Sequence, residues 1–183
     1  HFVCGGEESY GYMIGDQTRD KDAVSSVAMA AEMAAVAKNN NRTLFEELID
    51  LYVTYGLYKE KLVSITRKGQ NGAREISEMM QQFRDNPPTS LHGSRVTHLL
   101  DYQTRQAKDL ATGETTAITL PKSNVLQFIL EDGSKVSARP SGTEPKIKFY
   151  FSVRAKLDHA ADYDQVSASL DEKIEAIIGE LKL

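Results

Sequence analysis

Arg139-Pro140-Ser141-Gly142-Thr143-Glu144-Pro145 runs directly into Lys146-Ile147-Lys148-Phe149-Tyr150-Phe151-Ser152-Val153. The second half alternates without a break. Ile147, Phe149, Phe151 and Val153 fall on one side; Lys146, Lys148, Tyr150 and Ser152 fall on the other. A period of two is the signature of a strand with one buried and one wetter face. Such a strand belongs to a sheet covered on one side only, which points to an α+β domain.

Working outward, residues 125–130 and 135–139 read as strands around Asp132-Gly133, a strong hairpin signal. Residues 96–102 and 115–120 flank a turn at Thr112-Gly113. Further upstream, residues 61–66 could form a short strand and Lys68-Gly69-Gln70-Asn71-Gly72 a turn. A helix over residues 73–84 places Ile76, Met79, Met80 and Phe83 on one side, and Asn86-Pro87-Pro88 ends it. Downstream, residues 163–181 carry Val166, Leu170, Ile174, Ile177, Ile178 and Leu181 on one stripe. From about residue 59 onward the pattern reads helix, four strands, helix. The expected domain is a small four-stranded, mainly antiparallel sheet covered by helices on one face.

The first part of the chain has a different character. Residues 22–38 repeat Val24, Val27, Ala28, Ala31, Ala34 and Ala35 at helical spacing, with Asp22 as N-cap and residues 39–41 as the stop. Thr43-Leu44-Phe45-Glu46 reads as a capping box opening a second helix, which stops at Gly56. This is the helical tail of an α/β unit. Two domains are expected, over residues 1–58 and 59–183.

Composition limits the function. A chain of 183 residues buries roughly 70% of its unfolded surface and needs no disulfide or metal staple. With 22 basic against 26 acidic residues, the net charge of −4 gives no general footprint for nucleic acid, so any anion site must be local. Cys4 stands alone, which excludes an intrachain disulfide and fits a reducing, cytoplasmic compartment. No apolar run reaches the roughly 20 residues of a membrane span, and no signal peptide is expected from this stretch. The chain opens on His1, not Met, as expected of a segment cut from a longer protein.

Two loops carry the chemistry. Around residues 139–146, Arg139 offers a fork that grips two phosphate oxygens, and Ser141 and Thr143 offer hydroxyls. Gly142 lets the backbone approach an anion, the prolines pre-set the loop, and Lys148 adds charge from the strand. The competing reading is a tight hairpin that is polar because turns are polar. Near the start, Gly5-Gly6-Glu7-Glu8-Ser9 reads as a tight loop after a strand, where Glu7 and Ser9 suit vicinal sugar hydroxyls. Arg19 and Lys21, just before the first helix, are candidates for a second basic arm over an anionic substrate, against a default role as solvated bases.

Together the loops resemble the α-D-phosphohexomutase (phosphoglucomutase/phosphomannomutase) superfamily. Gly6-Glu7-Glu8-Ser9 matches its sugar-binding form Gly-Glu-x-Ser, and the run from Arg139 to Pro145 matches its phosphate-binding form. The resemblance covers essentially the whole chain: the tail of a third domain, a hinge near residues 57–72, and a complete fourth domain. It implies that Glu7 and Ser9 hold the sugar while Arg139, Ser141, Gly142, Thr143 and Lys148 hold the phosphate that is not reacting. It further implies a phosphoserine and a Mg2+ ion carried by preceding N-terminal domains. No Ser-His-Asn serine loop or Asp-Gly-Asp metal loop occurs in this sequence, so catalytic and metal residues are expected elsewhere and this portion alone is expected to be inactive. The run Glu7-Glu8-Ser9-Tyr10-Gly11 looks more like glucose-type members; mannose and pentose phosphates remain alternatives. The rival functions are a non-catalytic phosphosugar-binding module and a nucleic-acid-binding domain. The second has only Lys146, Lys148 and Tyr150 for it and the net charge against it.

Overall fold

The structure, a computed structural model, describes every residue except His1, Glu8, Lys68 and Gln70. It divides into two compact units, His1–Leu51 and Tyr52–Leu183.

In the first unit, strands β1 (Cys4–Gly6) and β2 (Tyr12–Ile14) pair antiparallel, Gly6 opposite Tyr12. Helix α1 (Ala23–Asn39) starts where the sequence predicts. The Asp22 carboxylate accepts from the N–H groups of Val24 and Ser25 at 3.0 and 3.3 Å, satisfying two donors that a helix start leaves open. Its alanines favour the helix, but Ala37 is its only buried residue among those described. Helix α2 (Leu44–Tyr55) opens on the expected capping box. Thr43 N–H donates to the Glu46 carboxylate at 2.7 Å, and Glu46 N–H returns the bond to Thr43 Oγ1 at 3.2 Å.

The second unit is built on one antiparallel sheet, and here the expectation of four strands is overturned. The sheet has eight. They are β3 (Leu57–Thr66), β4 (Ser90–Leu91), β5 (Ser94–Asp101), β6 (Gln106–Asp109), β7 (Thr115–Ala117), β8 (Leu126–Leu130), β9 (Lys135–Pro140) and β10 (Lys146–Ala155). Their order is β3-β10-β9-β8-β5-β6-β7, with β4 paired to β5. Two strands, β4 and β6, have no counterpart in the expected set, and both are short. The segment foreseen as a hinge is for the most part the ten-residue edge strand β3, paired with β10 from Leu57↔Ala155 to Thr66↔Lys146. The other part of that hinge includes Lys68 and Gln70, which lie outside the described residues. Charge disguises β3. Lys59 and Lys61 face the helix-covered side, yet their stems carry the ammonium groups out to Asp171 and Glu175. Charged edges also discourage pairing with further strands. The Thr112-Gly113 turn joins β7 to β6, not to β5, and Gly113 supplies its positive φ of 77°.

Helices α3 (Gly72–Asp85) and α4 (Tyr163–Glu180) cover one face. The alternation in β10 is borne out: Ile147, Phe149, Phe151 and Val153 are buried, and their neighbours are half-exposed. Phe83 of α3 meets Phe128 and Phe149 edge-on at 5.8 and 6.0 Å. Each fully buried phenylalanine contributes about 1.5–3 kcal/mol, so this cluster sets where α3 lies. Arg84 of α3 adds a half-hidden tie, donating to Asp101 at 3.2 Å and Asn124 at 2.7 Å.

Candidate functional site

The β9–β10 connection presents the second unit's candidate site. Antiparallel register sets Arg139 directly opposite Lys148, so both side chains leave the sheet on the face away from α3 and α4. Between them the chain turns at Ser141-Gly142-Thr143-Glu144. Ser141 N–H donates to Lys146 O at 2.7 Å, and Lys146 N–H donates to Glu144 O at 2.7 Å. The Ser141 hydroxyl oxygen accepts from the N–H groups of both Thr143 and Glu144 at 3.3 Å. From outside the turn, Arg67 N–H donates to Pro145 O at 2.9 Å. Gly72 must be glycine for this packing, because a Cβ there would lie 2.1 Å from Arg67 O.

Arg139, Ser141, Gly142, Thr143 and Lys148 all line one open concavity of ≈ 410 Å³, which Pro140, Glu144 and Lys146 complete. Among the described residues the Arg139 side chain has no hydrogen-bond or ion-pair partner, and it is exposed. Gly142 has an ordinary backbone conformation, and a Cβ on it would meet nothing within 4 Å. The chain's own packing therefore gives no reason for glycine at this position. Glu144 carries no assigned role in the sequence reading, and Lys146 enters it only for the nucleic-acid alternative. The alternation in β10 already put Lys146 on the same side as Lys148, which was the signal available.

In the first unit, Glu7 and Ser9 lie on the β1–β2 connection. Ser9 Oγ donates to Glu7 Oε2 at 3.3 Å, and Lys21 Nζ stands 3.5 Å from Glu7 Oε1. Glu7 N–H to Gly11 O at 2.9 Å and Tyr10 N–H to Glu7 O at 3.1 Å close the loop. Tyr10 adopts a φ of 64°, which is uncommon outside glycine. Gly11 makes room for the Lys21 stem; a Cβ there would lie 2.2 Å from Lys21 Cδ. Asp20, at 3.1 Å, and then Glu7 hold the Lys21 ammonium above its ordinary pKa. Glu7, Arg19 and Lys21 line a common concavity of ≈ 230 Å³. Glu8, the variable position of the Gly-Glu-x-Ser form, lies outside the described residues.

Residues 1–54 match the family model described as phosphoglucomutase/phosphomannomutase, alpha/beta/alpha domain III. The chain is 38% identical over 174 residues to the phosphoglucomutase of Staphylococcus epidermidis, covering 95% of this chain and 31% of that protein. Against the phosphoglucomutase of Staphylococcus aureus it is 38% identical over 172 residues, covering 94% and 29%. This chain belongs to the phosphoglucomutase/phosphomannomutase superfamily. It spans less than a third of the length of these curated relatives. The solved open form of the exocytosis-sensitive phosphoprotein pp63/parafusin, a phosphoglucomutase from Paramecium, superposes with a TM-score of 0.54 at 17% identity. That match covers 93% of this chain and 30% of the Paramecium chain, and at such identity it is a likeness of fold alone.

The superfamily implies a magnesium ion. Among the described residues no three His, Cys, Asp or Glu side chains converge on a point that could hold a metal, so the groups present do not fit that ion. Nor is any described helix long and apolar enough to cross a membrane.

Proposed function

We propose that this chain supplies the sugar-binding and phosphate-binding loops of a phosphohexomutase that interconverts hexose 1-phosphate and hexose 6-phosphate, with glucose as the preferred sugar. The whole protein would act through a bisphosphate intermediate and a phosphoserine, the latter on a residue that this chain does not contain. Its own residues would bind and orient. Arg139 and Lys148 would grip the phosphate that is not reacting, with the Thr143 hydroxyl and the Gly142 backbone beneath it. Glu7 and Ser9 would hold vicinal hydroxyls, and Arg19 and Lys21 would add positive charge near them. Positioning of this kind is most of what phosphoryl transfer asks of a protein.

One observation carries the reading: two cations face each other across adjacent strands beside a glycine turn, and the Arg139 guanidinium is unpaired among the described residues. A hairpin that was polar only for solubility would not need both cations lining one concavity. The test assays the whole protein on glucose, mannose and ribose 1-phosphates, together with calorimetry of glucose 1-phosphate on this chain. Fastest turnover of the glucose ester, with saturable binding by the chain that Arg139→Ala weakens, is the expected result. Absence of turnover with all three esters would overturn it.

A further inference from the structure

The turn over residues 141–145 has little to lean on. Its residues are all exposed, and a second cavity of ≈ 210 Å³ lies behind it, lined by Ala73, Ile76, Ser77 and Asn124 together with Pro140, Ser141, Gly142, Glu144 and Pro145. Open space therefore flanks the turn on both sides, since Pro140, Ser141, Gly142 and Glu144 also line the larger concavity. Its shape must come from hydrogen bonds rather than packing. Arg67 N–H and the bonds through Lys146 fix the two ends. Within the turn, the hydroxyl oxygen of Ser141 is the acceptor that gathers Thr143 N–H and Glu144 N–H, both at 3.3 Å.

A hydroxyl has two acceptor lone pairs and one proton. In Ser141 both lone pairs are taken up by the turn, and the Thr143 hydroxyl lies 3.5 Å away. We infer that Ser141 is a positioning residue: its oxygen folds the turn before any ligand arrives and thereby sets where the Thr143 hydroxyl and the Gly142 backbone stand. This role is separate from any contact its proton makes with an anion, and it deepens the phosphate-binding reading on which it rests. Pre-forming the turn removes an ordering cost that binding would otherwise carry. Two donors on one oxygen also polarise the hydroxyl, making its proton a better donor.

The experiment measures backbone amide exchange at Thr143 and Glu144 by NMR, first without ligand and then titrating inorganic phosphate. It compares the unaltered chain with Ser141→Ala and Ser141→Thr. Without phosphate, Ser141→Ala is expected to speed exchange at both amides roughly two- to tenfold each, the range expected for losing one hydrogen bond. Ser141→Thr, which keeps the acceptor oxygen, is expected to restore the original rates and the phosphate affinity. A residue that only touched the anion would leave the ligand-free rates unchanged, and that result would overturn the inference whatever phosphate did. If the ligand-free rates respond as expected but none of the three proteins binds phosphate, the positioning role stands and the phosphate-binding reading fails.

Discussion

Arg139 on β9 and Lys148 on β10 are direct cross-strand partners, and both stand on the sheet face that the helices leave open. Facing like charges on neighbouring strands are unfavourable in an empty sheet. Under the proposed function a phosphate would sit between the two members of the pair. Charge-assisted hydrogen bonds contribute about 1.5–3 kcal/mol each, so Arg139→Ala should weaken binding of phosphate or glucose 1-phosphate roughly ten- to hundredfold. Arg139→Lys should recover only part of that, because it keeps the charge and loses the fork. Because the side chain is exposed and unpaired among the described residues, unfolding free energy should move by less than about 0.5 kcal/mol. A destabilised variant that binds normally would instead mark Arg139 as a hairpin residue.

Gly142 separates a ligand site from a mere turn. Its backbone is not left-handed and a Cβ would meet no atom of the chain. Gly142→Ala should therefore leave the protein as stable as before, or more stable by roughly 0.4–1 kcal/mol, through a stiffer unfolded chain. Phosphate affinity should nevertheless fall, since the added methyl occupies the approach to the backbone. Calorimetry and thermal melts on the same sample read both quantities. Undiminished affinity would show that no ligand comes that close.

The Asp132–Lys173 pair governs stability in acid. Burial alone would raise the Asp132 carboxyl, but the Lys173 ammonium at 2.6 Å and the Ser134 N–H at 2.7 Å outweigh it and hold the pKa at about 2. The ordinary aspartate value is 3.8, which serves for the unfolded chain. A carboxyl depressed on folding adds stability above its unfolded pKa and loses it as pH falls through the folded one. The contribution should be present above about pH 4 and gone by about pH 2. Partial exposure screens it to the order of 1 kcal/mol. Denaturant melts between those pH values should show Asp132→Asn losing less stability on acidification than the unaltered chain. Parallel acid profiles would remove the pair from the account.

Local chemistry was legible wherever one element decides the outcome. The Asp22 cap, the Thr43–Glu46 box and the Asp132-Gly133 hairpin need only neighbouring residues, and the structure has each as the sequence implies. The strands that went unseen are those whose identity rests on partners. Gln106–Asp109 and Ser90–Leu91 carry no hydrophobic alternation and exist because β5 stands beside them. The sequence suggested β3 only over residues 61–66; its start at Leu57 emerges once Asp171 and Glu175 of α4 show where the charges of Lys59 and Lys61 go.

By itself, the sequence determined the alternation of β10, the helix caps, and a loop of anion-binding residue types after Arg139. Those follow from backbone periodicity and from bonds between residues a few positions apart. Only the tertiary structure decided that Arg139 meets Lys148, that the sheet has eight strands, and that the oxygen of Ser141 is engaged within the turn. Register between strands depends on which side chains pack beneath them, and a hydroxyl's partners depend on how a turn closes. Neither is encoded in any stretch short enough to be read alone.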